Sequence, residues 1–152
     1  MDAIDRVLIT ELLRDARVSY QELGRVARLS ANTVADRVRR LRSSGVISGY
    51  HAEVNLAMLG RGLRLMSDVR LREGIDRSQF ELGLAAVEQV IGAVRLTGDY
   101  DYLLQIACAD SEEFEQVVDR LKRDLGVRES RSRLVLHEVP IDLEPLIRAS
   151  EL

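Results

Sequence analysis

Two helix-start signals stand close together near the amino end, and only three residues separate the helices they open. Ser19-Tyr20-Gln21-Glu22 is a capping box, with Ser19 at the N-cap and Glu22 placed to return the bond. Arg28-Leu29-Ser30 is a tight break, and Ser30 caps the next helix. A chain punctuated this way must turn sharply between two short helices, and it needs a further helix to complete a core. That helix is available upstream: Asp2 is its N-cap, Asp5 lies in its first turn, and Ile4, Leu8, Ile9 and Leu12 recur at helical spacing until the pattern stops near Asp15–Arg17. Leu23 with Val26 or Ala27 gives the second helix its inner face.

In the third helix, Val34, Val38 and Leu41 fall at i, i+4 and i+7 and point inward. Gly45 follows at the position where a helix wants a left-handed residue, with Val46 as the expected hydrophobic partner. The outward residues are Asn32, Thr33, Asp36, Arg37, Arg39 and Arg40. Three short helices with this turn make a helix-turn-helix, whose third helix lies in the major groove of double-stranded DNA. Asn32 and Thr33 suit base edges, and Arg37 and Arg40 suit guanine or phosphate. Ser19, Tyr20 and Gln21, together with the Ser30 cap, can offer hydroxyls, an amide and backbone N–H groups to phosphates. The bland alternative is a solvated basic helix face, supported by an i, i+4 pair between Asp36 and Arg40.

Charge follows the same division. Residues 1–50 hold nine Arg against six Asp and Glu, while the whole chain carries a net charge of −3. An acidic total therefore does not exclude nucleic acid, because the local field decides. The start of the chain lacks a basic stretch followed by an apolar one, and no apolar run approaches the ~18 residues of a membrane span. The expectation is a cytoplasmic, nucleoid-associated protein with no membrane partner.

Residues 47–55 read as a β-segment, a wing or a connector, and Asn55, Gly60 and Gly62 mark turns after it. From Leu63 the apolar period changes to two. The expected strands are Leu63–Leu71, Val90–Thr97, Tyr100–Cys108 and Arg133–Val139. Helices carrying Phe80, Leu84 and Val87, and then Phe114, Val117, Val118, Leu121 and Leu125, alternate with them. The order β-α-β-β-α-β is that of a ferredoxin-like domain. LLQIAC and RLVLHEV carry apolar residues on both faces, and the simplest cover for a bare sheet face is a second copy. A homodimer would present two recognition helices to a palindromic operator, with half-sites ~34 Å apart.

Little points to catalysis. His51, His137 and Cys108 form no metal or nucleophile pattern, Cys108 reads as a small core residue, and no phosphate-binding glycine loop is present. The expectation is no enzyme, no metal and no cofactor. A nucleoid-type architectural protein without a ligand is the competing DNA-binding reading, to be recognised by steep salt dependence with little sequence preference.

Three stretches, IDRVLITELLRDARVSYQELGRVARLS, VADRVRRLRSSGVISGYHAEVN and LTGDYDYLLQI, resemble the Lrp/AsnC or feast/famine family of amino-acid-sensing transcription regulators. The resemblance covers nearly the whole chain. It implies an α+β protein: an N-terminal winged helix-turn-helix over 1–50, a hinge strand over 51–61, and a ferredoxin-like (RAM/ACT-like) βαββαβ domain over 62–140 for effector binding and oligomerisation. Residues 141–152, a short amphipathic segment, form a tail. It further implies dimers that assemble into octamers, and an amino-acid effector held between dimers near the loop joining the second and third strands. Here that loop is Thr97, Gly98, Asp99, Tyr100 and Asp101, with Leu134 also placed at the site. Its carboxylates suit an ammonium group, its backbone N–H groups suit a carboxylate, and Arg95 or Arg123 could neutralise that carboxylate. Taken alone, Gly-Asp is also plain turn chemistry. Relatives often have proline after the serine that starts the recognition helix; here Ala31 follows Ser30, so operator sequence does not carry over.

Overall fold

The structure, a computed structural model, describes residues 1–149; the end of the expected tail, residues 150–152, lies outside the described residues. The chain divides into two compact units, Met1–Glu53 with Val139–Leu152, and Val54–Glu138.

The first unit holds α1 (Ala3–Arg14), α2 (Tyr20–Ala27), α3 (Ala31–Ser43) and, from the far end of the chain, α6 (Glu144–Ala149). Each of the first three helices begins where its cap predicts. The Asp2 carboxylate accepts from Asp5 N at 2.8 Å, Ser19 Oγ from Glu22 N at 3.2 Å and Ser30 Oγ from Thr33 N at 3.1 Å. Leu8, Leu23, Val34 and Val38 are buried at the centre, with Ile4, Leu12, Val18, Ala27 and Leu29 packed around them. Full burial of such side chains contributes about 1.5–3 kcal/mol each. Ala27, not Val26, takes the inner position of α2; Val26 is 54% exposed. Gly24 is required by the sharp turn, because a Cβ there would stand 2.6 Å from the carbonyl oxygen of Leu29.

α3 ends as the glycine implies. Gly45 has φ +80°, its N–H donates to Arg42 O at 3.0 Å, and Ile47 N–H reaches Leu41 O at 3.0 Å. The expected partner Val46 is 47% exposed, so Ile47 rather than Val46 tucks under the helix end. The tail contributes α6, which lies against α1; Arg14 donates to Glu144 at 2.9 Å, and Arg148 also pairs with Glu144.

The second unit contains β1 (Leu63–Leu71), α4 (Arg77–Leu84), β2 (Val90–Arg95), β3 (Tyr102–Cys108), α5 (Ser111–Asp124) and β4 (Val127–Leu134). The strands form one antiparallel sheet in the order β2-β3-β1-β4, the ferredoxin-like arrangement. Leu65 and Val69 of β1 and Tyr102, Leu104, Ile106 and Cys108 of β3 face Phe80, Leu84, Val117 and Leu121 of the two helices. Cys108 is a core residue, and burial pushes its thiol pKa up.

Three sequence expectations need correction. Residues 47–55 form no strand and no wing; they have no ladder partner among the described residues, which leaves the connector reading. A 3₁₀ turn follows at Leu56–Leu59, capped by the Asn55 side chain on Ala57 N and Met58 N. Its single turn was too short to show as a period. Next, β4 begins at Val127 and ends at Leu134 rather than spanning 133–139. Its inward positions between Val127 and Leu134 are small and polar, Ser130 and Ser132, and Ser132 Oγ lies 2.8 Å from Ser67 Oγ. An edge strand with arginines outward and serines inward carries no apolar alternation to read. Beyond it Leu136 is 89% exposed. Finally, the helix-free sheet face is mixed rather than apolar. β1 presents Arg64, Met66, Asp68 and Arg70 there, and Arg133 pairs with Asp68 at 2.6 Å. The apolar residues on this face are Met66, Leu103 and Ala107, with Val94 beside them.

Candidate nucleic-acid interface and effector loop

Burial of Val34, Val38 and Leu41 fixes the rotation of α3 and turns Asn32, Thr33, Asp36, Arg39 and Arg40 to solvent. Among the described residues the Asn32 amide and the Arg40 guanidinium have no side-chain partner, so both are free to meet a ligand. Ser30 and Thr33 are engaged with each other, their hydroxyl oxygens 2.8 Å apart, and together they fix the start of the helix. The ion pair on this face joins Asp36 to Arg39 at 2.9 Å, not to Arg40 as the i, i+4 spacing suggested.

Arg37 does not belong to this face. Its Nη1 lies 2.6 Å from Asp2 Oδ2 and 2.8 Å from Asp5 Oδ1, and its side chain is 18% exposed. These bonds, Asp2 first, raise the guanidinium pKa further; the Asp5 N–H and then Arg37 hold the Asp2 carboxyl low. Arg37 therefore ties α3 to the start of α1, where the sequence reading expected a contact to guanine or phosphate. Spacing placed it among the outward residues and could not say that two carboxylates waited there.

At the start of α2, Ser19 is fully used in its capping box: its hydroxyl donates to Glu22 at 2.7 Å, and that bond lowers the Glu22 pKa. Tyr20 and Gln21 are exposed. Tyr20 borders an open groove along α3 with Arg39, Arg42, Ser43 and Ser48. The guanidinium of Arg42 lies over the Tyr50 ring, 5.6 Å from its centroid, and burial raises the Tyr50 pKa. Arg42 is a basic residue of this surface that the sequence reading did not single out. Its membership in the run Arg39-Arg40-Leu41-Arg42 was the available signal.

In the second unit, the turn after β2 is closed by Leu96 N–H on Asp101 O at 2.8 Å, with Gly98 at φ +106°. It is pinned to the end of β1. Asp101 N–H donates to Val69 O at 2.9 Å, and the Asp101 carboxylate accepts from Leu71 N at 2.9 Å and faces Arg77 at 3.5 Å. Arg70 donates to Asp99 O at 2.6 Å and covers the Tyr100 ring. Tyr100 donates to Glu129 at 3.0 Å, which raises its pKa. Asp101 is thus occupied in holding the loop, while the Asp99 carboxylate and Thr97 stand exposed. Arg70 and Arg77 were missed by sequence reading because the register of β1 decides the position of the first and the packing of the start of α4 that of the second.

Within one chain the structure sets Leu134 away from this loop and leaves Arg95 beside it. Leu134 pairs in register with Leu65, four residues of β1 or ~13 Å from the Val69 that holds the loop. Arg123 is bound to Asp124 at 2.9 Å. Arg95 lies in register with Tyr102 at the mouth of the turn and is exposed.

Among the described residues no helix is long and apolar enough to cross a membrane, and no cluster of His, Cys, Asp or Glu could hold a metal ion. The AsnC-type helix-turn-helix domain matches residues 1–42, and the Lrp/AsnC ligand binding domain matches residues 65–143. The leucine-responsive regulatory protein of Haemophilus influenzae is 32% identical over 142 residues, covering 91% of this chain and 86% of that protein. The Escherichia coli K12 protein of the same name is also 32% identical and is covered to 87%. Among solved structures, B. subtilis LrpC superposes with TM-score 0.85 at 27% identity, covering 93% of this chain and 99% of that one. A Neisseria meningitidis transcriptional regulator in complex with L-Met gives TM-score 0.86 at 28% identity, covering 96% and 99%. The chain belongs to the Lrp/AsnC family: it is a DNA-binding transcriptional regulator with a ligand-binding domain, not an enzyme.

Proposed function

We propose that this regulator reads a palindromic operator through the exposed face of α3 and that an amino acid bound at the Thr97–Asp101 loop alters its DNA affinity. The observation that carries the DNA half is the pairing on α3 of a rigid, capped helix start with an unengaged Asn32 amide and Arg40 guanidinium. Asn and Arg are the side chains that bond two atoms of adenine and guanine in the major groove. Tyr20, Gln21, Arg39 and Arg42 take backbone phosphates beside them; Ser19, Ser30, Thr33 and Asp36 hold the two helix starts and the face in place. In division of labour, residues 1–50 bind DNA, 51–61 link, 62–140 sense and assemble, and the tail from 141 closes on α1.

The effector half is supported by chemistry. Asp99 offers a carboxylate to an ammonium group, and Arg95 offers a guanidinium to a carboxylate at the mouth of the same turn. A relative of the same fold is known in complex with L-Met. We assign the working form as a homodimer, further assembled as an octamer, acting on DNA in the cytoplasm. Ligand-dependent coupling between sites of this kind is worth ~1–3 kcal/mol. Gel shift on the DNA upstream of its own gene, with and without each amino acid, tests both halves. A shift that one amino acid strengthens or weakens supports them. Failure to shift any genomic fragment at low salt contradicts the first, and indifference to every amino acid contradicts the second.

A further inference from the structure

Arg28 is the one non-glycine residue with positive φ among the described residues, at φ 55° and ψ 46°. It closes α2, its backbone N–H donating to Gly24 O, and opens the sharp turn into α3. For an L-residue with a Cβ the left-handed basin is unfavourable, and glycine or asparagine fills such positions with less strain. Nothing inside the protein accounts for the choice. The side chain is exposed, and among the described residues its guanidinium makes no hydrogen bond, ion pair or ring contact. Strain kept at an exposed position, with no internal partner for the side chain, is the mark of an external role.

Its place indicates the role. Arg28 stands two residues before Ser30, the N-cap of α3, so its Cα lies within ~7 Å of the helix start. In a helix-turn-helix that start is the end which enters the major groove. The left-handed basin is narrow and fixes the direction of the Cα–Cβ bond. We propose that Arg28 is a phosphate clamp: the strained turn aims its guanidinium at the DNA backbone bordering the groove that receives α3. This rests on the reading of α3 as the DNA helix. The competing role, a cation completing the C-terminal dipole of α2, needs no DNA.

The full chain carrying Arg28→Gly, Arg28→Lys or Asn32→Ala separates these roles. Each variant is melted and titrated onto two duplexes, one enriched from genomic fragments by the wild-type protein and one scrambled. Arg28→Gly should raise Tm, weaken both duplexes alike by about five- to tenfold, and lower the slope of log K against log salt concentration by about one. Arg28→Lys should keep most of the affinity and slope. Asn32→Ala should lose the preference for the enriched duplex. Unchanged affinity and slope in Arg28→Gly overturn the clamp, as does a lower Tm with unchanged slope, which assigns Arg28 to the α2 dipole. If Asn32→Ala keeps full preference while Arg28→Gly behaves as expected, the clamp stands and the base-reading assignment of Asn32 fails.

Discussion

Arg37 Nη1 lies 2.8 Å from Asp5 Oδ1, joining the middle of α3 to the first turn of α1 across thirty-two residues of sequence. Asp5 is itself buried to 9% exposure, and Asp2 shares the same guanidinium. A side chain that looks like a groove-reading arginine is a brace that sets how α3 is presented.

Removing either partner should therefore lower the melting temperature, and the two losses should overlap. In a double-mutant cycle of Arg37→Ala and Asp5→Ala, the double variant should be less destabilised than the two singles together. Strict additivity in thermal or urea unfolding would mean the pair contributes nothing to the fold.

Gly24→Ala pits two magnitudes against each other. Alanine gains about 1 kcal/mol over glycine in a helix interior. Against this, the new Cβ would stand 2.6 Å from a backbone oxygen that cannot swing away. The clash should win, with net destabilisation of about 1–3 kcal/mol. A urea midpoint equal to or above wild type would show that the turn relaxes freely.

Glu113 gives a pH test. Arg61 first, then the Ala109 N–H and Gln89, hold its carboxyl at about 2 against an ordinary 4.5. A pKa lower in the folded than in the unfolded state stabilises above the unfolded value, and that stability is lost as pH falls through the folded one. Wild type should exceed Glu113→Gln in stability above pH 4.5. The gap should close as pH falls toward about 2. A gap that stays constant across this window would assign the Glu113 contribution to packing rather than charge.

In the loop proposed to hold the effector, Asp99 and Asp101 should behave differently. Asp101 holds the turn on β1, while the Asp99 carboxylate faces outward. Asp99→Ala should raise the amino-acid concentration for half-response by about tenfold or more, as expected when a charge-assisted hydrogen bond is lost, with the same melting temperature. Asp101→Ala should lower the melting temperature as well. Equal effects of the two on melting would contradict the division.

The sequence made some of these features legible and hid others for physical reasons. Caps are local, so the starts of α1, α2 and α3 were readable from Asp2, Ser19 and Ser30. The strand β1 announced itself through alternation in LRLMSDVRL, and β3 through the short apolar run LLQIAC. By contrast, β4 was misplaced because an edge strand of the form VRESRSRL has no apolar face to betray it. The roles of Arg37, Arg70 and Arg77 depend on carboxylates and carbonyls brought near by packing and register, and spacing along the chain carries no trace of them. The strain at Arg28 is likewise a property of the turn, and the residue type alone suggested only another exposed arginine.

The central claim is that the outward face of α3 selects DNA sequence. The direct measurement is equilibrium binding of wild type and of the Asn32→Ala/Arg40→Ala double variant to a genomically enriched duplex and its scrambled counterpart, at one fixed salt concentration. Wild type should prefer the enriched duplex by about 10³-fold or more, and the variant, still folded, should bind both at the level of the scrambled one. A variant that keeps the full preference, or a wild type that shows none, would contradict the account.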